Sequence, residues 1–294
     1  MKISGFTIIR NAVINDYPIV EAITSILPVV DEMVVSVGRS DDDTLGLIRS
    51  IGSDKIRIVE TEWDMSLREG GRVLAVETDK ALQHVSPDTD WAFYIQGDEA
   101  VHEKYHDSIL ESCRRYKDNP EVEGLLFDYL HFYGTYDYVG DSRKWYRREI
   151  RIIRYEKTPA GTPISAYRDA QGFRRGGEKL KVKHSGAAVY HYGWVKSPVQ
   201  MKTKMKNVSR FWHEDKAWEK ILQSEDFFDY EEFDSLKVFE GTHPAVMQDR
   251  IGRQTWNVSF DISRKKFRLK DALLYWFEKK TGRRLFEFRN YRLI

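Results

Sequence analysis

The chain has 294 residues, 41% of them hydrophobic and 13% aromatic, which provides for a sizeable core and excludes a disordered or fibrous chain. Its formal net charge of +1 implies no polyanionic partner for the whole molecule, nucleic acid included, so any electrostatic message is local. A single cysteine, Cys113, excludes an internal disulfide and a cysteine metal cage, and is consistent with a reducing compartment.

The first half alternates short β-branched apolar runs with amphipathic helical ones. Strands are predicted over Lys2–Ile9, Met33–Val37, Ile56–Glu60, Trp91–Ile95 and Gly124–Leu130, and helices over Tyr17–Leu27, Thr44–Ile51, Gly71–His84 and His106–Tyr116. This spacing predicts an α/β fold of β-α-β units, with a mostly parallel central sheet covered by helices on both faces. Ligands of such sheets bind at the carboxyl ends of the strands, so the residues just after each strand matter most. From Phe132 the pattern changes to tyrosines, tryptophans, glycines and basic residues, followed by predicted strands over Ile150–Arg154 and Ala187–Tyr192 and a helix over Met201–Trp218. Residues 1–210 are expected to form the main domain and 211–294 a helical C-terminal extension.

The N-terminus, MKISGFTIIRNAV, lacks the apolar core and cleavage site of a secretory leader. The longest apolar passage, Ala22–Val37, is broken by Pro28, Asp31 and Glu32, well short of the roughly 18 residues a membrane span needs. The expected location is the cytoplasm. The tail divides by charge, with ten acidic residues against three lysines in Glu214–Glu240 and eleven basic against three acidic in Arg264–Ile294. The basic, aromatic tail either packs on the acidic segment or makes peripheral contact with a membrane.

Three segments can carry chemistry. In WAFYIQGDEAVHE, Trp91–Glu103, a strand ends on Gln96, Gly97, Asp98 and Glu99; carboxylates there suit Mn²⁺ or Mg²⁺ holding phosphates, or form an ordinary acidic turn. In VVSVGRSDDDT, Val34–Thr44, one of the acids caps a helix and others are placed to hydrogen-bond a nucleotide. In AVYHYGW, Ala188–Trp194, His191 is either a core histidine or a metal ligand, and Lys196, Lys202, Lys204 and Lys206 follow it.

The order of IIRNAV, SDDDT, GGRVLAVETDKAL, WAFYIQGDE, RREIRIIR, AYRDAQGFRR and VYHYGWVKSP resembles that of family 2 glycosyltransferases of the GT-A fold, over roughly residues 2–210. The resemblance implies a cytoplasmic enzyme that moves a sugar from a nucleoside-diphosphate sugar to a hydroxyl of a glycan or lipid-linked acceptor. It further implies inversion, a divalent cation (Mn²⁺ or Mg²⁺), and a role in bacterial surface polysaccharide synthesis. Carried onto this chain, Asp98 and His191 hold the metal, and Asn11, Asp42, Arg72, Gln96, Asp98 and Lys204 surround the sugar donor. Asp169 is the expected general base, with Glu99, Glu149 and Glu178 as alternatives. Two departures stand out: Val37-Gly38 where the family ends its second strand on aspartate, and Gln96 for the first acid of Asp-x-Asp. A non-catalytic protein of the same fold and a nucleotidyltransferase are the competing readings; the latter lacks its glycine-rich loop in IIRNAVINDYP.

Overall fold

The computed structural model describes residues 1–67, 69–156, 162–211 and 226–294. Residues 212–218 of the predicted Met201–Trp218 helix and 214–225 of the acidic segment lie outside the described residues. Strands β1 (Ile3–Ile9), β2 (Glu32–Gly38), β3 (Ile56–Thr61) and β4 (Trp91–Tyr94) form a parallel block in the order β3-β2-β1-β4. Apolar side chains alternate to both faces, as a strand's two-residue period requires. Ile3, Ile9, Val35 and Val37 join one core with α1 (Ile19–Ile26) and, further along, Ile109 and Cys113 of α4 (His106–Tyr116). Phe6, Ile8 and Val34 join a second core with Val73, Ala81 and Leu82 of α3 (Arg72–Gln83). Helix α2 (Thr44–Arg49) is capped by Asp43, whose carboxylate accepts from the Gly46 amide.

Beyond β4 the sheet is mixed rather than parallel. Strand β8 (Arg148–Arg154) runs antiparallel to β4, β6 (Gly124–Tyr133) antiparallel to β8, and the long β12 (Lys181–Trp194) parallel to β6. A short strand absent from the sequence expectations, β5 (Glu99–Val101), pairs antiparallel with β12 and sets His191 opposite Glu99. Strand β7 (Thr135–Gly140) continues from the end of β6. Strands β9 (Ile164–Tyr167), β10 (Gly172–Arg175) and β11 (Glu178–Lys179) make a separate small sheet. Helix α5 (Pro198–Val208) follows β12, capped by Ser197.

The C-terminal segment carries strands as well as the expected helices. Strand β13 (Leu236–Val238) pairs with β7 and β14 (Arg292–Leu293) with β12; α6 (Gln248–Gly252) and α7 (Leu269–Thr281) are the described helices. Arg250 of α6 clamps back onto Asp16 at 2.7 Å and Glu21 at 2.8 Å. The basic tail meets the acidic segment at Lys265 and Lys266, whose ammonium groups donate to the Ser235 hydroxyl and to the Leu236 and Glu231 carbonyls, and its ion pairs to the rest of the described chain go to Asp141, Arg143 and Arg147.

One buried ion pair ties β8 to the β4–β5 turn. Arg151 and Glu99, both fully buried, meet through Nη2–Oε1 at 2.8 Å and Nε–Oε2 at 3.0 Å, and the Tyr129 hydroxyl donates to the same carboxylate at 2.6 Å. Removing one partner of such a pair strands a charge in the core. Arg151→Ala is expected to lower unfolding free energy by about 3–5 kcal/mol in urea titrations, and Glu99→Leu/Arg151→Met to cost less than that single variant. Equal losses would refute the ion-pair reading.

Candidate active site

At the carboxyl end of the parallel strands lies a cavity of about 300 Å³, lined in part by Arg10, Asn11, Tyr17, Trp63, Gln96, Asp98, Asp169, His191 and Lys204. Four chain segments build its polar wall. The β4–β5 turn delivers Gln96 and Asp98, because Glu99 Oε2 accepts from the Gln96 amide while its own side chain points into the core. Strand β12 delivers His191, locked against that turn by a Tyr192 amide to Asp98 carbonyl bond of 2.8 Å. Helix α5 delivers Lys204 and, one turn on, Asn207, which donates to Asn15 at 2.8 Å. The turn between β9 and β10 delivers Asp169, flanked by Arg168 and Ala170 in left-handed conformations (φ 56° and 60°).

Asp98 is the hub. Its Oδ2 accepts from Lys204 Nζ at 3.0 Å and its Oδ1 lies 3.7 Å from His191 Nε2. Burial alone would raise its pKa, but Lys204, with His191 and Lys196 behind it, holds the carboxyl well below the usual carboxylate range. Burial pushes His191 below its ordinary value against the pull of Asp98, so the ring is neutral at pH 7 and able to ligate. Its Nδ1 is buried without a hydrogen-bond partner among the described residues. His131, edge-on to His191 at 5.1 Å, is pushed down to about 3 by burial and then by His191.

The residues present fit a divalent cation. Two ligands each about 2.1 Å from one ion lie between roughly 3 and 4 Å apart, and Asp98 Oδ1 and His191 Nε2 are 3.7 Å apart. The space beside them is kept by Gly193, where a Cβ would stand 2.6 Å from Asp98 Oδ2 and 2.8 Å from His191 Nε2. No group of three His, Cys, Asp or Glu residues with metal-binding geometry occurs among the described residues. A cation here would therefore draw its remaining ligands from substrate phosphates and water, which is usual for Mg²⁺.

Of the remaining expected residues, Asn11 lines the cavity in a left-handed conformation (φ 53°) and exchanges hydrogen bonds with Asp41, its Nδ2 to Oδ2 at 2.9 Å and its Oδ1 from the Asp41 amide at 2.8 Å. Gln96 reaches Ala170 carbonyl at 3.4 Å, joining the Asp98 turn to the Asp169 turn. Asp42 does not line the cavity. Its carboxylate accepts from the Ile14 and Thr44 amides at 2.8 and 3.0 Å, a loop-bracing role. Arg72 is exposed at the start of α3 and lines a second, open groove with Asp79, Arg168 and Asp169. Glu99 is sealed in its ion pair, with both oxygens occupied and none of the cavity wall. Glu149 is buried, its pKa pushed up to about 7 by burial against the opposing Arg151, and Glu178 is exposed on β11; neither lines the cavity.

Among the wall residues not singled out from the sequence are Arg10, whose guanidinium donates to the Arg39 carbonyl at 2.9 Å; Tyr17, under Lys204 at 4.9 Å; and Trp63, tilted against Phe211 at 5.7 Å. Arg10 follows β1 within IIRNAV and Trp63 follows β3, but nothing local sets either apart from its neighbours. Lys196, noticed only as one of four lysines, is 99% buried and donates to the Asp16 carbonyl.

No family model and no curated protein sequence matches the chain. Among solved structures, it is similar to TarS 1-349 of S. aureus at 15% identity, with 76% of this chain and 69% of that one covered and a TM-score of 0.39. Of the longer TarS chain, 42% is covered. Glucosyl-3-phosphoglycerate synthase of Mycobacterium tuberculosis, solved with Mg²⁺ and uridine diphosphate, is similar at 20% identity over 44% of this chain and 43% of that one, with a TM-score of 0.31. The 4-diphosphocytidyl-2C-methyl-D-erythritol synthase of Anaerococcus prevotii DSM 20548 is similar at 12% identity over 52% and 70%, with a TM-score of 0.32. Likeness at TM-scores below 0.5 bears on neither activity nor substrate.

Burial, with Lys204 adding to it and Asp16 opposing, pushes Lys196 from its ordinary 10.5 down to about 7. Between those values the unfolded chain binds the extra proton, so this lysine makes stability rise with pH across that window. Melts of wild type and Lys196→Met between these two pH values are expected to diverge, the wild type gaining as pH rises. Parallel curves would show that Lys196 is charged throughout.

Proposed function

We propose that the chain is a glycosyltransferase that binds a nucleoside-diphosphate sugar in this cavity and passes the sugar to a hydroxyl of a glycan or lipid-linked acceptor. The observation that carries the reading is the juxtaposition of Asp98, His191 and Lys204 on one side of the cavity with Asp169 on its wall. The pyrophosphate of the sugar donor sits against Lys204, with Lys196 behind it. A bound Mn²⁺ or Mg²⁺ on Asp98 and His191 would supply further positive charge to the leaving diphosphate.

Lys204 is poised for exchange. Its ammonium is held by Asp98 and by the Gly193 carbonyl at 2.9 Å, and an arriving phosphate offers it a further partner, leaving Asp98 as a residue that would hold a cation. Preorganised charge of this kind stabilises the diphosphate more as it leaves than while it is bound in substrate. Asp169 lines both the cavity and the open groove beside α3. An acceptor hydroxyl entering by that groove meets Asp169 as it reaches the anomeric carbon. In the proposed single displacement Asp169 takes the hydroxyl proton, the acceptor oxygen bonds to the anomeric carbon, and the nucleoside diphosphate departs from the opposite face, inverting the centre. The setting we assign is the synthesis of bacterial surface polysaccharide, as the sequence resemblance implies.

Two measurements test this. Thermal melts against UDP-, GDP-, CMP- and dTDP-linked sugars, with and without Mn²⁺, are expected to show stabilisation by one nucleotide class that is lost in Asp98→Ala; a ligand at a hundredfold excess over its Kd adds about 2.7 kcal/mol. No stabilisation by any of them would overturn the reading. With that sugar donor, Asp169→Asn is expected to keep the melting shift and to lose transfer by about 10²–10⁴-fold, the usual contribution of a general base. Near-normal turnover would remove Asp169 from that role.

A further inference from the structure

Helix α7 is fastened to the molecule by polar groups while it shows apolar ones to solvent. On its inner side the Tyr275 hydroxyl and Lys279 both bond to Asp141, and Glu278 meets Arg143 at 2.8 Å. On its outer side Leu269, Leu273 and Trp276, spaced i, i+4 and i+7 along one face, are 92%, 65% and 57% exposed. Past the helix, Phe286 and Phe288 are 89% and 78% exposed. Of the fourteen exposed large apolar side chains among the described residues, eight lie in the last 26 positions, and Phe286 lines one groove with Lys270, Asp271 and Leu274 of α7, which brings the two exposed stretches together.

The backbone adds a second observation. Phe286 is held in the left-handed region (φ 55°), costly for a bulky residue, with its ring in solvent. The segment beneath it is fixed by the two-pronged Arg147–Glu287 pair at 2.8 and 2.9 Å. Exposed basic residues surround the apolar ones: Arg264, Arg268, Lys270, Lys280 and Arg283 are all solvent-facing, with Asp271 the exposed acid on the same stretch.

We infer that the α7 face is a docking surface for an anionic lipid bilayer, with Leu269, Leu273, Trp276, Phe286 and Phe288 entering the headgroup boundary and the flanking lysines and arginines binding lipid phosphates. The exposed basic residues Arg264, Arg268, Lys270, Lys280 and Arg283 against the one exposed acid of that stretch, Asp271, select a negatively charged partner, and the outward leucine and aromatic side chains select one with an apolar layer beneath the charge. No helix among the described residues is long and apolar enough to cross a membrane, so the contact is peripheral. This inference rests on the placement of α7 and not on the sugar-donor site.

The test is co-sedimentation of the full chain with vesicles of phosphatidylcholine alone and of phosphatidylcholine with phosphatidylserine, at low and high salt. Binding is expected only to the anionic vesicles and to weaken with salt, since screening shortens the reach of exposed charges. Leu273→Glu/Trp276→Glu and, separately, Phe286→Ser/Phe288→Ser are expected to lower the partition by roughly tenfold or more, with unchanged melting temperatures because the side chains are exposed. Wild type left in the supernatant with anionic vesicles at low salt would overturn the inference. So would binding that both double variants retain, or a Trp276-dependent dimer in sedimentation velocity without vesicle binding. Melting shifts with nucleotide sugars, read on the same samples, report the sugar-donor site independently.

Discussion

Everything in the candidate site hangs from the contact between Arg151 and Glu99. Glu99 does not touch the cavity, yet its carboxylate fixes the amide of Gln96 and so the turn that carries Asp98 outward. Arg151 not only neutralises Glu99 but also donates through Nη1 to the Gln171 carbonyl at 3.1 Å, two residues past Asp169. One guanidinium thus spaces the proposed phosphate side from the proposed base. A planar fork with five donors can do this from a single buried position, and a lysine cannot. The cost of burying the charge is offset by four hydrogen bonds from the guanidinium, to Glu99 twice and to the Ile150 and Gln171 carbonyls, which is also why the pair resists replacement of one member.

Around the buried Asp98 the chain gathers basic groups from several elements. Lys204 and Lys196 approach from the β12–α5 side, with Arg10 also on the cavity wall, while Asp98 is the buried acid they share. Burial pushes Lys196 down to about 7, with Lys204 adding to the shift and Asp16 and Asp98 opposing it. The same logic explains why His191 is better neutral: a third full charge at 3.7 Å from Asp98 would compete with Lys204 without adding a ligand lone pair.

Much of the fold was legible in sequence. The predicted strands and helices between Lys2 and Tyr116 match β1–β4 and α1–α4 within a residue or two, because each is a run of one period bounded by turn residues. The cavity's position followed from the parallel order. Less local features escaped. Strand β5 is only three residues long and starts at the second acid of the Asp98-Glu99 pair, so it has no period to show; its existence is decided by β12, some ninety residues later. The two adjacent carboxylates looked alike on paper, yet Asp98, in the turn, lines the cavity while Glu99, the first residue of β5, is taken into the core by Arg151. Whether a charge finds a buried partner is tertiary information, and Arg151 carries no local mark. Asp42 and Arg72 were drawn in by their positions in a motif order, whereas the folded chain uses one to brace a loop and leaves the other on a neighbouring groove.

The departure at Val37-Gly38 has a physical counterpart in the structure. A Cβ on Gly38 would lie 2.3 Å from Trp63 Nε1, so any side chain at the end of β2, aspartate included, is excluded by the indole. Glycine at 38 and tryptophan at 63 are therefore a matched pair, the flat ring lying on the strand end where no side chain stands. Trp63 leans on Phe211 just beyond α5, the helix that brings Lys204, so the ring's placement is coupled to the phosphate side of the cavity. Its Nε1 has no partner among the described residues. A buried N–H left unpaired costs about 1–3 kcal/mol, a penalty that a ligand acceptor can relieve. Nε1 itself is turned to the end of β2, where it would meet a Cβ on Gly38, while the ring forms part of the cavity wall. The indole thus closes the strand end with an apolar face at a position where an aspartate would have placed a charge.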